Sequence, residues 1–138
     1  MYEIVNGYKF KNLVIPEGVI LKLTLSDDTE IDGVFKYLNI NSGMSIVKGD
    51  VVCTVQLDSI QHLQWNDTEI YPSYYIGEVK LLKFDNMYIE IGDNISIKYK
   101  KIFNRYIRST KVIGFTENKI AIETAVIDLE KVIKIIKK

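Results

Sequence analysis

Apolar and polar positions alternate along most of the chain. Val19, Leu21, Leu23 and Leu25 are spaced two apart, with Ile20, Lys22 and Thr24 between them, the period of a half-buried strand. Ser26-Asp27-Asp28-Thr29 comes next as a short polar hairpin loop, and a return strand is predicted over residues 30–39. A polar, glycine-containing stretch over 39–43 and then Lys48-Gly49-Asp50 bracket a short strand over 44–47. The next strand runs from Val51 to Leu57 with Val51, Cys53 and Val55 on one face, which makes Cys53 a buried, inert thiol. Asp58-Ser59 is too short for a helix but suits one 3₁₀ turn, after which Ile60, Leu63 and Trp65 open a closing strand. Residues 1–18 read as a lead-in whose Tyr8, Phe10 and Leu13 pack on the strands after it. Residues 66–77 read as a connector, broken by Pro72 and Gly77 but held down by Tyr71, Tyr74 and Tyr75. Alternation resumes over 78–84, turns at Asp85-Asn86 and continues from Met87.

Composition sharpens this. Ile and Val supply 34 of the 138 residues against two Ala, a bias toward pleated sheet and away from helix. Shifting the chain by 72 residues lays Leu23 and Leu25 on Ile95 and Ile97, Ile31 on Phe103 and Asp32 on Asn104. The same shift lays Val55, Leu57, Ile60 and Leu63 on Ile127, Leu129, Val132 and Ile135. Apolar steps of two, three and three used twice indicate a duplicated unit. Five short strands with a one-turn interruption before the last form an SH3-like barrel. The expected fold is therefore all-β: two tandem SH3-like, Sm-like five-stranded small barrels packed together. The expected organisation is a first barrel with its lead-in over 1–66, a packed connector over 67–77 and a second barrel over 78–138. Barrels of this size bury too little surface to be robust alone, so a shared interface is expected.

Residues 19–39 followed by 51–65 resemble the Sm and Sm-like family. The resemblance rests on Val19-Ile20-Leu21-Lys22-Leu23-Thr24-Leu25, a polar loop, then Ile31-Asp32-Gly33-Val34-Phe35-Lys36-Tyr37-Leu38-Asn39. Gly33 stands where the family places a glycine on a strongly bent second strand, and Asn39 where its base-binding loop begins. Gly43 stands where the family has asparagine. Ile91-Gly92-Asp93-Asn94-Ile95 is similar to the family's second motif, with Ile91 in place of its basic residue, and is read as the entrance to the second barrel. The resemblance implies a five-stranded barrel, ring-shaped oligomers and RNA bound near the pore, with Tyr37 and Asn39 as ligand-binding positions.

No nucleophile–base pair and no glycine-rich phosphate loop is visible, so a non-enzymatic protein without a cofactor is expected. One Cys and one His argue against a zinc site. Asp27, Asp28, Glu30 and Asp32 read as solvated turn residues, with a weak divalent-ion site as the minor alternative. No apolar run reaches the length of a membrane span and no signal segment opens the chain, so a cytoplasmic location and no membrane partner are expected. Abundant Ile, Lys and Asn point to an AT-rich genome, such as that of a low-GC bacterium or its phage.

A net charge of zero conceals a strong asymmetry. Residues 1–97 hold 7 basic and 14 acidic side chains, whereas residues 98–138 hold 11 basic and 4 acidic. The basic part opens with Lys98, Lys100, Lys101, Arg105, Arg108 and Lys111, with Tyr99 and Tyr106 interleaved, and closes with Lys131, Lys134, Lys137 and Lys138. Alternation directs Asn104, Tyr106 and Arg108 one way and Phe103, Arg105 and Ile107 the other. Cations neutralise phosphates and a tyrosine ring stacks on a base, so RNA or a nucleotide-like anion is the expected partner, with Tyr106 and Arg108 at the centre. Opposite charges also favour head-to-tail homo-oligomers, and a structural or adaptor protein is the alternative. Sequestration of a small nucleotide between barrels, against Tyr71, Tyr74 and Tyr75, is a third reading. Lysines that merely guard sheet edges would explain the same charges.

Overall fold

A computed structural model describes all 138 residues, Met1–Lys138. The chain is all-β, with no α-helix, and one of its sheets curls into a half-barrel. It divides into two compact units: Asn6–Val79, and Lys80–Lys138 together with Met1–Val5.

Residues 1–18, expected as a lead-in, form two strands, β1 (Tyr2–Phe10) and β2 (Leu13–Pro16). They pair antiparallel, Tyr8 with Ile15 and Phe10 with Leu13. Next come β3 (Ile20–Leu25), β4 (Glu30–Asn39), β5 (Gly43–Lys48) and β6 (Val51–Val55), the 3₁₀ turn Leu57–Ser59, and β7 (Ile60–Trp65). These match the alternation and the one-turn interruption read from the sequence. The connector carries more structure than its composition implies: β8 (Thr68–Ile70), a 3₁₀ turn at Pro72–Tyr74, and β9 (Tyr75–Phe84) beginning ahead of Gly77. The chain then forms β10 (Met87–Ile89), β11 (Asn94–Lys100), β12 (Asn104–Phe115), β13 (Lys119–Ile122) and β14 (Ala125–Asp128). A 3₁₀ turn at Leu129–Lys131 and β15 (Val132–Lys137) complete it. Gly92-Asp93 forms the turn into β11, where the Asp93 carboxylate accepts the Glu90 N–H at 2.8 Å.

Strand order runs β6-β5-β4-β3-β7-β8 in one large sheet and β14-β13-β12-β11-β15 in the other. The first five places of each order correspond, and each closing strand follows a 3₁₀ turn. The pairing registers define equivalent residues. Leu23 lies between Ile31 and Leu63, as Ile97 lies between Ile107 and Ile135. Leu23 is therefore the counterpart of Ile97 and not of Ile95, and Ile31 is that of Ile107 and not of Phe103. The constant shift of 72 holds only over the closing part, from Val55/Ile127 to Leu63/Ile135. The cause is hairpin length. The β11–β12 hairpin is longer than β3–β4, and β13–β14 is shorter than β5–β6. At the first strand the error is two residues, which leaves every side chain on its expected face.

Each unit has its own core. Tyr8, Phe10, Ile15, Leu21, Leu23, Phe35, Met44, Ile46, Leu63 and Ile70 are buried in the first. Leu82, Phe84, Ile89, Ile95, Ile97, Val112, Ile120, Ile122 and Ile135 are buried in the second. Gly33 sits on β4 where a Cβ would come within 2.6 Å of both the Val47 carbonyl oxygen and an Ile46 methyl. A bulge between Phe35 and Tyr37 follows on the same strand. Cys53 is half-buried, not buried as expected, because β6 is an edge strand whose Val51 and Val52 are also exposed. Asp32 and Glu30 are paired with Lys48 and Lys22 at 2.9 Å across strands. Asp27 accepts the Thr29 N–H, so these carboxylates serve the hairpin.

The buried Tyr8 hydroxyl donates to Glu17 Oε1 at 2.7 Å. Burial first, and this hydrogen bond second, push its phenol well above the ordinary value of 10.0. Burial raises Tyr75 in the same direction. The folded state thus keeps protons that the unfolded chain gives up above pH ~10, so stability present below that pH is lost as pH rises further. Tyr8→Phe is expected to flatten this alkaline loss while costing about 1 kcal/mol at neutral pH through the missing hydrogen bond. Urea denaturation at pH 7 and 11 checks both.

Candidate functional site

The basic residues singled out from the sequence lie mainly on β11, β12 and the hairpin between them. Lys98 pairs with Tyr106 on one side and with Lys134 on the other. Directly paired residues point to the same face of a sheet, with Cβ atoms about 5 Å apart. Tyr106, Lys98 and Lys134 therefore form one row across β12, β11 and β15. Lys100 and Asn104 form the next row, and Arg108 stands two positions from Tyr106 on the same face. Tyr106 is 54% exposed. Ile107, between Tyr106 and Arg108, packs on the core, so the alternation expected along β12 holds there. Arg108 and Ser109 together oppose Ser96 in a bulge of the ladder, and the Ser96 hydroxyl donates to the Arg108 carbonyl, tying the bulge to β11.

None of Lys98, Lys100, Lys101, Arg105, Arg108 or Lys134 has a carboxylate within ion-pair distance, whereas Lys119, Lys131 and Lys137 do. Lys119 donates to Asp128 at 2.6 Å. That hydrogen bond first, with Lys131 adding to it, holds the Asp128 carboxyl below the usual carboxylate range. Lys111 lies farther along β12, opposite Asn94; its backbone N–H donates to the Glu123 carboxylate at 2.8 Å, while its ammonium has no carboxylate within ion-pair distance.

The hairpin end carries two concave sites. One, of about 520 Å³, is lined by Lys100, Lys101, Ile102, Lys131, Val132 and Ile133 together with one carboxylate, Glu130. The other, of about 250 Å³, adds Tyr99, Lys119 and Asp128 to the shared lysines. Arg105 pairs with Tyr99, and the tip beyond it leaves Ile102 and Phe103 largely exposed. A cationic strip with Tyr106 exposed among its cations, and Phe103 exposed at the hairpin tip, can neutralise phosphates and stack bases.

Tyr37 and Asn39 belong to the other unit, Asn6–Val79. Asn39 Oδ1 accepts the N–H groups of Asn41 and Ser42, at 2.8 and 3.3 Å, and so shapes the β4–β5 turn. Tyr37 pairs with Ser45 and is partly exposed. In the same unit Tyr75 packs on Phe10 and Tyr8, while Tyr74 meets Tyr71 edge-on and carries the Lys11 ammonium 3.6 Å above its ring. Tyr71 lines a cavity of about 460 Å³ with Ile40, Leu57, Asp58 and Pro72; its lining includes a carboxylate and no cation.

Lys134, Lys131 and Phe103 were not singled out as site residues from the sequence. Lys134 enters through strand order: only the pairing of β15 with β11 sets it beside Lys98. No family model, curated protein or solved structure matches this chain.

Proposed function

We propose that this chain is a tandem of SH3-like, Sm-like small barrels that serves as a non-enzymatic, self-associating binding module for single-stranded RNA or a nucleotide-like anion. The row Tyr106–Lys98–Lys134, with no carboxylate against it, carries the reading. A face that only guarded a sheet edge would need neither an exposed ring in register with two lysines nor free cations on three adjacent strands. Arg108 extends the row along β12, and Lys100 with Lys101 leads it into the hairpin grooves. The shared strand order of the two large sheets supports the tandem-barrel part of the reading. Binding of a short oligouridylate, measured by fluorescence anisotropy across a salt series, is expected to weaken steeply, with a log–log slope of about −0.7 for each phosphate engaged. Binding that is flat with salt, or absent at low salt, overturns the proposal.

A structural or adaptor role is the second reading. It is favoured by the apolar edge strands β6 and β14, which expose Val51, Val52 and Val126.

A further inference from the structure

The two units differ at one place that their shared design makes conspicuous. In the first, β7 does not end its sheet: β8 pairs along its outer side, Ile70 opposite Leu63 and Glu69 opposite Gln64. Ile70 is buried in the core, and the Glu69 carboxylate reaches His62 Nδ1 at 3.5 Å. The chain then runs beside the β1–β2 turn, where the Lys11 N–H donates to the Tyr74 carbonyl at 2.9 Å. In the second unit β15 takes the place of β7, and no strand lies on its outer side. The second core has no counterpart of Ile70. What remains is a groove of about 300 Å³ between the β9–β10 turn (Phe84, Asp85, Asn86, Met87) and Ile133, Lys134 and Ile135. It is bounded at the turn by Met1, whose carbonyl accepts the Asp85 N–H at 2.8 Å as the Tyr74 carbonyl accepts that of Lys11.

The residues of β15 differ from those of β7 in a consistent direction. Where β7 has Gln61 and Gln64, β15 has Ile133 and Ile136, which are 49% and 43% exposed. Where β7 sets His62 beside Glu69, β15 offers Lys134, which has no carboxylate partner. An open strand edge with unpaired backbone groups, two exposed isoleucines and a free ammonium is complementary to an extended segment that alternates acidic and apolar side chains.

We propose that the outer edge of β15 and the groove beside it receive an extended acidic–apolar segment of a partner protein as an added antiparallel strand. An apolar side chain of that segment lies opposite Ile135, where Ile70 lies opposite Leu63, and its carboxylate meets Lys134. This proposal goes beyond the polyanion reading in using the outer strand edge with Ile133 and Ile136; Lys134 is common to both, so the peptide with Glu69 and Ile70 replaced is what tells the two apart.

The test titrates the full chain with a capped peptide carrying Asn66–Tyr71, the part of the first unit's segment that has no counterpart in the second and stops short of the place Met1 holds beside Asp85. Saturable binding is expected, with amide shifts confined to β15 and the 84–87 turn. Lys134→Glu is expected to weaken it about tenfold, and a peptide with Glu69→Lys to restore it against that variant. Lys134 is exposed, so the variant keeps its fold, which circular dichroism checks. Absence of binding, or equal affinity for a peptide with Glu69 and Ile70 both replaced by serine, overturns the proposal. So does a self-dimer that covers Ile133 and Ile136 while excluding the peptide, and so do shifts at this groove produced by single-stranded RNA but not by the peptide.

Discussion

Gly43→Ala is expected to destabilise the Asn6–Val79 unit by on the order of 3 kcal/mol, lowering its thermal midpoint by about 15 °C. Two costs coincide there. The residue has φ +104°, a conformation that L side chains rarely adopt, and a Cβ would collide with the Val55 carbonyl on the neighbouring strand. That carbonyl belongs to the β5–β6 ladder, where Met44 pairs with Val55, so it cannot withdraw without disturbing the pairing. Two other glycines separate the costs. Gly18 has φ +93° and nothing within 4 Å of a built Cβ, so Gly18→Ala carries backbone strain alone. Gly33 lies in ordinary strand backbone with the Val47 carbonyl and Ile46 in the way, so Gly33→Ala carries steric conflict alone. Urea unfolding of the three variants should rank Gly43→Ala as the most destabilised. A Gly43→Ala loss no larger than that of Gly18→Ala would mean that the β5–β6 contact yields freely and that backbone strain alone sets the cost.

These glycines also mark how far the sequence could be read. Gly33 was legible as a residue with no room for a side chain through the Sm-like resemblance, which places a glycine on a strongly bent second strand. The requirement at Gly43 was not legible: it arises from the approach of β6, which local sequence does not encode. Alternation marked most strands because each buries one face. It failed over residues 1–18 and 66–74, where strands are short or interrupted by Gly7, Pro16 and Pro72 and resemble loops. The repeat was visible through its closing part, where a 3₁₀ turn fixes the spacing, and slipped by two residues at β3 and four at β4, where hairpin lengths differ. The outward row on β12 was visible by period alone. Its extension to Lys134 was not, because side chains on β11 and β15 become neighbours only through strand order. Cys53 illustrates the same limit: its period was that of a strand, but its exposure depends on β6 being an edge.

Reversing Lys98 and Arg108 together, as Lys98→Glu with Arg108→Glu, is expected to reduce oligouridylate affinity at low salt by about a hundredfold. The magnitude follows from where the two charges stand. Lys98 is the middle of the row and Arg108 flanks Tyr106 on the same face, and neither is neutralised within the protein. A phosphate placed over this face meets both, and reversal replaces attraction by repulsion. The salt slope should fall by about 1.4, the share of two phosphates on a single strand. Tyr106→Ala acts on a different quantity: it removes a stacking surface worth about 1–3 kcal/mol per base and leaves the slope unchanged. Tyr106→Phe should bind as the parent does, since the ring and not the hydroxyl carries stacking. Lys134 stands both in this row and at the strand edge, so it is the peptide with Glu69 and Ile70 replaced by serine, and not Lys134→Glu, that reads the edge separately from RNA binding. If the double reversal leaves both affinity and slope unchanged while the protein stays folded, the exposed face of β11 and β12 is not where a polyanion binds, and its cations act only to keep a sheet surface solvated.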